Sequence, residues 1–366
     1  MKIRETNKKT EDNMKRYGFL YEKVYDIDNI KQAIYNASKG KRNRRRVSYI
    51  LENSDEYAER IHLMLKHKIY SPSQYIEQTI YDGCNKKERI IHKPKFYPDQ
   101  IIHWALMQVI QPYLQRGFYE HSCGSIPGKG TSYGHKYLKK WLRDEKNTKY
   151  CLKIDISKFY PSIDKNILKS KFRTKFKDED LLWLLDSIVN SSQNGLPIGN
   201  YTSQWFANFY LQDLDHFIKN ELKIKYYMRY IDDMVLLGPN KRKLHNSKTE
   251  IERYLSDNHL RLKPNWQVFR IDDRGLDFLG FRFYRHKVIL RKRNALRIRR
   301  RIKKIAKRKP LISDAQAVIS YWGWLKRSNS FYFYNKYIKD NFPIKKARVM
   351  ISEDAKQHTT KRCIRN

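Results

Sequence analysis

Cysteine is scarce in this chain, and its four copies are widely spaced. Cys84, Cys123, Cys151 and Cys363 form no close pair at the spacing of metal ligands. This distribution argues against a disulfide-stabilised secreted fold and favours free thiols in a reducing compartment. The eleven histidines also form no convincing cluster, so we assign no zinc site.

Long apolar runs are also missing. No stretch approaches the length of a transmembrane helix, and residues 1–6 lack the apolar core of a signal peptide. We therefore expect a cytoplasmic protein.

Acidic residues are few relative to basic ones. The chain has 38 Asp and Glu against 77 Lys and Arg, which gives a formal net charge of +39. Such an excess destabilises a compact state by self-repulsion unless a polyanion neutralises it. Nucleic acid is the best candidate, through contacts with its phosphates, and a membrane surface is the competing polyanion.

The composition is nevertheless that of a folded protein. Of the 366 residues, 40% are hydrophobic and 14% aromatic, so the chain is not a disordered basic tail. Its length allows a sizeable core distributed over two or three subdomains.

Two adjacent aspartates, Asp232 and Asp233, lie between apolar and aromatic residues within 227–237. This pattern predicts two short strands that meet at an acidic turn. A third carboxylate, Asp155, lies in an alternating run at 152–156 that predicts a neighbouring strand. Paired carboxylates are ligands for hard cations such as Mg²⁺, although an Asp-Asp pair is also a common polar turn.

Other segments give a coarse outline of the chain. Residues 1–85 are predicted to be largely helical, 86–94 to form one basic arm of a hairpin, and 98–113 to form a helix. The glycine-containing residues 124–131 and the turn-rich residues 195–204 are each predicted to lead into a helix. Phe206, Tyr210, Leu214 and Phe217 have the spacing of one helical face. Residues 275–281 are predicted to be a strand with an internal glycine.

Basic residues concentrate near the C-terminal end. Residues 287–309 contain thirteen Lys or Arg and no acidic residue. Ile298, Ile302 and Ile305 recur at helical spacing, so one face can pack on protein while the other meets phosphates. A shorter basic run, 39–46, is either a solvated surface or a second phosphate contact.

Taken in order, these motifs resemble those of a reverse transcriptase. The resemblance is carried by Asp155 with Tyr160, residues 195–204, the 230–233 segment and residues 276–281. It covers most of the chain and implies an α+β fold shaped like a right hand. The implied parts are an N-terminal helical extension at 1–85, fingers and palm at 86–285, and a basic helical thumb at 286–366.

The resemblance also implies roles for individual residues. Asp155, Asp232 and Asp233 would be catalytic and, with the Ile156 carbonyl, would bind two Mg²⁺ ions, for which Mn²⁺ could substitute. Tyr160 would exclude the 2′-hydroxyl of ribonucleotides. The residues implied to contact the nucleotide are Lys87, Arg89, Ile198, Gly199 and Lys263. Those implied to contact the primer or template are Tyr230, Arg297, Arg300, Arg301 and Lys304.

One departure from the common motif is informative. Residues 198–200 and 203–204 read Ile-Gly-Asn and Ser-Gln, where the family commonly has Gln before the Gly and Ser-Pro at the end. This form resembles the reverse transcriptases of diversity-generating retroelements, which copy a template-repeat RNA with errors at adenines. An isoleucine side chain cannot make the hydrogen bonds of a glutamine, so reduced accuracy is expected.

The same resemblance implies partners and a setting. These are template RNA, cDNA or primer, deoxynucleoside triphosphates, and a small basic accessory protein that assembles as a ring, in a bacterial host or phage-infected cell. The alternatives are a retron-type or phage-defence reverse transcriptase, or a non-catalytic RNA-binding protein on a polymerase scaffold. A group II intron protein is disfavoured because the chain leaves no room for an endonuclease domain.

Overall fold

The computed structural model describes residues 16–82 and 87–363, with the side chains of 82, 87 and 356–363 outside the description. Cys84 and the side chain of Cys363 lie outside it, whereas Cys123 and Cys151 are buried thiols. In chain order, the elements of the first part are α1 (Tyr21–Tyr25), α2 (Ile27–Ser38), α3 (Arg45–Glu52), α4 (Ser54–Lys66), β1 (Ile76–Asp82), β2 (Lys87–Lys93), α5 (Ile101–Gln115), β3 (Ser122–Cys123), α6 (Thr131–Trp141) and β4 (Tyr150–Asp155).

The second part of the chain begins after β4. Its elements are α7 (Phe159–Ser162), α8 (Lys165–Lys175), α9 (Glu179–Asn190), α10 (Tyr201–Tyr210), α11 (Gln212–Asn220), β5 (Tyr226–Tyr230), β6 (Asp233–Gly238), α12 (Lys241–Asp257), β7 (Gln267–Arg270), α13 (Ile271–Arg274), β8 (Leu276–Phe278), β9 (Phe281–Phe283), β10 (Val288–Leu290), α14 (Lys292–Ile305), α15 (Ile312–Leu325), α16 (Phe331–Tyr334) and α17 (Ile344–Cys363).

Capping residues explain several helix starts. Asp164 accepts hydrogen bonds from the backbone N–H groups of residues 166 and 167 at the start of α8. Asp178 does the same for residue 181 at the start of α9, and its other oxygen accepts from the backbone of Leu20 and Tyr21. Side-chain oxygens at these positions satisfy N–H groups that have no partner within the helix.

The chain divides into two compact units. The first contains the described residues of 1–130 together with 152–236 and 242–267, and the second contains 131–151, 237–241 and 268 onward. In the first unit the strands β3, β5, β6 and β4 lie side by side in that order. The helices α2 and α5 pack on one another, and Gln108 donates to the Asn29 side chain across this contact at 2.7 Å.

The second unit contains the three-stranded sheet β10-β9-β8, which is antiparallel throughout. Arg285 lies in the turn between β9 and β10 and is nearly buried. It donates to the Thr148 hydroxyl at 2.6 Å and to the Asp272 carboxylate at 2.8 Å. The helices α15 and α17 pack against each other in the same unit.

Several predicted elements are confirmed by the structure. Residues 87–93 pair with 76–82 as an antiparallel hairpin, with Arg89 opposite Ile80. Asp155 ends a strand, and the Asp232-Asp233 pair lies where β5 turns into β6. Alternating or apolar-flanked patterns of this kind carry a strong local signal.

Two predictions of local structure were wrong in detail. The apolar face from Phe206 to Phe217 is divided between α10 and α11, because the helix is interrupted at Leu211. Gly280 lies in the turn between β8 and β9, with φ +83°, where a hairpin requires a left-handed residue. The helical spacing of Ile298, Ile302 and Ile305 is confirmed, since all three are buried residues of α14, which begins at Lys292 after β10.

Candidate active site

The two predicted catalytic segments are neighbours in the first unit. Strands β4 and β6 lie next to each other in the sheet, and the Ile156 N–H donates to the Asp232 carbonyl at 3.3 Å. The backbone N–H of Lys263 donates to the Asp155 carbonyl at 2.8 Å. Three separate parts of the chain are therefore joined at the end of β4.

The side chains of Asp155 and Asp232 come together at this point. Burial, and after it the nearby Asp155 carboxylate, raises the pKa of Asp232 to about 6. The Lys263 ammonium lies 2.5 Å from Asp155 Oδ2. The other oxygen, Asp155 Oδ1, is buried and has no hydrogen-bond partner within the described part of the chain.

Asp233 is placed differently from the other two aspartates. Its carboxylate lies 4.0 Å from the Lys153 ammonium. Across residues 16–82 and 87–363, no group of three or more His, Cys, Asp or Glu side chains is placed to hold a metal ion. The structure therefore brings together two of the three predicted carboxylates. The fourth predicted ligand was the carbonyl of Ile156, a residue that is fully buried.

Tyr160 lies close to the carboxylate pair. Burial raises the pKa of Tyr160 to about 12, and the Asp232 carboxylate acts in the same direction. The Tyr160 carbonyl accepts a hydrogen bond from the Leu196 N–H at 2.9 Å. A Cβ at Gly195 would lie 2.2 Å from that carbonyl oxygen, so only glycine allows this close approach.

The predicted nucleotide-pocket residues are next to the β1–β2 hairpin. The His92 N–H donates to the Ile198 carbonyl at 2.8 Å. Gly199 has φ +136°, and a Cβ there would lie 2.3 Å from the His92 carbonyl oxygen. Arg89 lies on the same strand, β2, and is exposed. The backbone of Lys87 begins β2, but its side chain lies outside the described residues.

Tyr230 is the last residue of β5 and pairs with Cys123 of β3. Its ring is half-buried, and this burial raises the pKa of the Tyr230 hydroxyl. The ring edge faces the backbone of Gly124, where a Cβ would lie 3.4 Å from Tyr230 Cε2. The predicted primer-contacting residue is therefore fixed next to the aspartate turn.

The remaining predicted phosphate contacts are in the second unit, on α14. Arg297, Arg300 and Lys304 are exposed, and the Arg297 guanidinium lies 5.8 Å from the centre of the Trp324 ring. Arg301 differs, because it lies 2.5 Å from the buried carboxylate of Asp314. Its charge is therefore compensated within the protein.

Two buried acidic residues that pair with arginines were missed in the sequence. Asp314 binds Arg301 and Arg308 and also accepts from the Leu311 N–H at 3.0 Å. Its position three residues after the N-cap Leu311 was an available signal. Asp215 binds Arg229, and the signal there was a lone arginine within an otherwise apolar and aromatic strand.

Comparison with known proteins gives a consistent assignment. Residues 85–283, just over half of the chain, match the family described as reverse transcriptase (RNA-dependent DNA polymerase). The chain is 33% identical over 108 residues to the retron Ec73 reverse transcriptase of Escherichia coli, covering 26% of this chain and 34% of that protein. It is 26% identical over 212 residues to the group II intron-encoded protein LtrA of Lactococcus lactis, covering 55% and 34%.

A third relative is the retron Se72 reverse transcriptase of Salmonella heidelberg, which is 28% identical over 166 residues and covers 44% of this chain and 41% of that protein. The chain thus spans well under half the length of these relatives. Among solved structures, apo telomerase from Candida tropicalis aligns with a TM-score of 0.47 at 12% identity, covering 65% of this chain and 53% of that one.

In the described residues, no helix is both long enough and apolar enough to cross a bilayer.

The predicted α+β fold is confirmed by the mixed helices and antiparallel strands together with the family match. The match includes β4, both strands of the aspartate hairpin and the Gly195–Gly199 loop. This chain belongs to the reverse transcriptase (RNA-dependent DNA polymerase) family.

Proposed function

We propose that this chain is an RNA-directed DNA polymerase that forms cDNA by nucleotidyl transfer at Asp155 and Asp232. The observation that carries the proposal is the convergence of these two carboxylates, from neighbouring strands, in a chain of the reverse transcriptase family. Two half-buried carboxylates at such close range repel each other when both are ionised. A bound cation would remove that repulsion.

The residues present fit a divalent cation. Asp155 Oδ1 is buried without a hydrogen-bond partner in the described chain, and oxygen ligands suit Mg²⁺. Asp155 and Asp232 would hold two Mg²⁺ ions, or Mn²⁺ in their place, with substrate phosphates completing the ligand set. When bound, such ions activate the attacking hydroxyl and neutralise the charge that develops on the phosphates.

The surrounding residues would select and orient the nucleotide. Tyr160, held by the contact of its carbonyl with Leu196, would meet the sugar at the 2′ position and favour deoxynucleotides. Arg89 would bind the triphosphate from the β1–β2 hairpin, with Lys87 beside it. Lys263, already within hydrogen-bond distance of Asp155, would supply a positive charge, and a proton, to the leaving pyrophosphate.

Two groups of residues, one in each unit, are candidates for contacts with primer or template. Tyr230 would support the primer end next to the aspartate turn. The exposed cations of α14, Arg297, Arg300 and Lys304, would bind backbone phosphates, and Arg301 would contribute only with the part of its charge that Asp314 leaves uncompensated. The three-part division at residues 85 and 285 into extension, fingers and palm, and thumb belongs to the same proposal.

The test is primer extension on a defined RNA template with the full chain. We expect Asp155→Asn and Asp232→Asn to lower the incorporation rate by at least about 10³-fold while RNA affinity stays the same. Asp213→Asn is a matched control, because Asp213 is a carboxylate of the same unit that pairs with Lys171 away from the site. Undiminished incorporation by Asp232→Asn would remove the assignment, and a wild-type protein that binds RNA but does not extend primers would favour the non-catalytic alternative.

For the subfamily, we propose the reverse transcriptase of a diversity-generating retroelement, copying a template-repeat RNA with errors at adenines in a bacterial cytoplasm. What supports this is Ile198 at the position that contacts His92 of the fingers hairpin. Glutamine there could hydrogen-bond its surroundings, whereas isoleucine cannot. A small basic accessory protein that assembles as a ring would be the partner, and this part of the proposal is supported only by the family resemblance.

Sequencing of the cDNA distinguishes this proposal from the second candidate. We expect wild-type errors to concentrate at template adenines and Ile198→Gln to reduce them, with Ile90→Gln, an exposed position on the neighbouring hairpin, as a control that leaves the error spectrum unchanged. Errors spread evenly over the four bases would favour a retron-type enzyme, the alternative that the retron relatives support.

A further inference from the structure

An ion pair is completely buried behind the aspartate turn. The side chains of Arg229 and Asp215 are both 0% exposed. Arg229 Nε lies 2.7 Å from Asp215 Oδ1 and Nη2 lies 2.6 Å from Oδ2, in a bidentate arrangement. Because removing two charges from water carries a large penalty, such a pair contributes little to stability compared with well-packed apolar residues. Its presence in the core therefore needs another reason.

The remaining donors of Arg229 point to that reason. Nη2 also donates to the Ser122 hydroxyl at 2.7 Å, and Nη1 donates to the Asn208 carbonyl oxygen and to the Ile231 backbone carbonyl, both at 3.0 Å. All five N–H groups of the guanidinium are thus used, in the fixed fork geometry of arginine. One of them fixes the residue that immediately precedes Asp232.

Ile231 has a backbone conformation that isoleucine rarely adopts. Its φ is +58°, a left-handed value that costs a β-branched residue about 1–2 kcal/mol. Its N–H donates to the Cys123 carbonyl at 3.1 Å, and its side chain lies against Gly124, where an added Cβ would be 2.8 Å from Ile231 Cγ1. Such a conformation persists only when its surroundings impose it.

Asn208 links the two sides of this arrangement. Its amide donates to the Gly124 carbonyl at 3.1 Å, while its oxygen accepts from Arg229. The N–H, the carbonyl and the side chain of Ile231 are thereby each held by a different partner. The direction in which the chain leaves Ile231 determines where the Asp232 carboxylate points.

We propose that Arg229, oriented by Asp215, is a positioning residue that holds Ile231 in its left-handed conformation and so aims the Asp232 carboxylate at Asp155. This inference rests on the proposed polymerase function of that carboxylate pair. A lysine could not replace the arginine, because a single ammonium cannot satisfy Asp215 and reach the Ile231 carbonyl in the same fork geometry.

The principal test is the double variant Arg229→Met/Asp215→Asn. It removes both charges together, so no unpaired charge stays buried, and the asparagine oxygen still accepts from the Tyr227 hydroxyl. We expect a folded protein with unchanged affinity for primer–template, a kcat lower by about 10²-fold, and weaker Mn²⁺ binding by electron paramagnetic resonance. The control Lys171→Met/Asp213→Asn removes an ion pair between Lys171 of α8 and Asp213, two residues before Asp215 on α11, and should change none of these quantities.

A rescue variant separates positioning from general loosening of the core. Glycine adopts positive φ without strain, so Ile231→Gly in the double-variant background should recover about tenfold in kcat. The same change in the wild-type background gives the reference against which this recovery is measured. If the double variant does not fold, Arg229→Lys takes its place, with the same fall in kcat and the same recovery expected.

The outcomes are distinguishable. A folded double variant, or Arg229→Lys, with wild-type kcat and wild-type Mn²⁺ binding would overturn the inference, as would a loss that Ile231→Gly does not recover. A wild-type protein that never extends a primer would overturn the proposed function instead. In that case Mn²⁺ binding by the variants still decides whether Arg229 positions the carboxylates.

Discussion

At the scale of single residues, the three aspartates of the motif are not equivalent. The Asp155 carboxylate is close enough to raise the pKa of Asp232, whereas the Asp233 carboxylate lies near Lys153. We therefore expect Asp233→Asn to retain roughly a tenth of the wild-type incorporation rate, well above Asp232→Asn. Single-nucleotide incorporation under saturating Mg²⁺ measures this difference. Equal losses in the two variants would show that Asp233 belongs to the metal site.

Gly199 is the second residue whose replacement has a defined consequence. A Cβ at this position meets the His92 carbonyl at 2.3 Å, and the residue also has positive φ. Gly199→Ala should therefore displace the β1–β2 hairpin that carries Arg89 and raise the KM for nucleotide by about tenfold or more. Gly130→Ala is the matched control, since no atom lies within 4 Å of an added Cβ there and its φ is ordinary. A Gly199→Ala enzyme with unchanged KM would separate the hairpin from nucleotide binding.

At the scale of elements, α5 contains a buried histidine that makes stability depend on pH. Burial lowers the pKa of His103 to about 4, and the nearby Asp99 carboxylate only partly opposes this. In the unfolded chain His103 takes up a proton near pH 6.5, but in the folded chain it does not. The contribution of His103 to stability is therefore fully present above about pH 6.5 and is lost as the pH falls below it. Between about pH 7.5 and pH 5 we expect a loss of about 2 kcal/mol.

Urea unfolding at the two pH values measures this loss. In His103→Leu the dependence should be smaller by that amount, because the titrating group is gone. His67→Leu serves as a control, since His67 is an exposed residue at the end of α4. The prediction is contradicted if His103→Leu and the wild type lose the same stability on acidification.

Helix α14 combines two kinds of cation, and they should respond differently to mutation. The exposed Arg297, Arg300 and Lys304 are free to meet phosphates, whereas Arg301 binds the buried Asp314. Replacing the first three by Gln should weaken RNA binding and reduce the slope of log K against log salt by up to about 2–3. Arg301→Gln should instead lower the unfolding midpoint and leave that slope nearly unchanged. Fluorescence anisotropy with RNA over a salt series distinguishes the two kinds of variant. Equal changes in slope for Arg301→Gln and the triple Gln variant would show that Arg301 contacts phosphates as the exposed cations do.

The helices and strands were largely predictable from the sequence, because the spacing of apolar residues and the residue types that form turns are properties of short segments. The β5–β6 hairpin, the strand before Asp155 and the basic helix were all visible in the sequence. The break at Leu211 was not, because the apolar spacing from Phe206 to Phe217 continues through it. Nor could the sequence reveal the Arg229–Asp215 pair or the contact of Lys263 with Asp155, which join residues far apart in the chain and depend on tertiary packing.

At the scale of the whole molecule, the net charge of +39 should limit stability in the absence of a polyanion. Like charges at the surface repel over about 10 Å at 0.1 M salt and over longer distances in more dilute buffer. We expect the unfolding midpoint to rise as salt is increased from about 0.02 M to about 0.3 M, because screening relieves this repulsion. Differential scanning fluorimetry measures the shift, and a midpoint that falls over this range would show that attractive ion pairs outweigh the repulsion.

A short RNA should raise the midpoint further at low salt, since a ligand that binds only the folded state stabilises it by mass action. This additional rise should disappear near about 0.5 M salt, where counterion release no longer favours binding. The triple Gln variant of α14 should show a smaller RNA-dependent rise than wild type, whereas Asp155→Asn, altered only at the carboxylate pair, should keep most of it. A rise that persists at high salt would mean that contacts other than phosphate neutralisation dominate RNA binding by this chain.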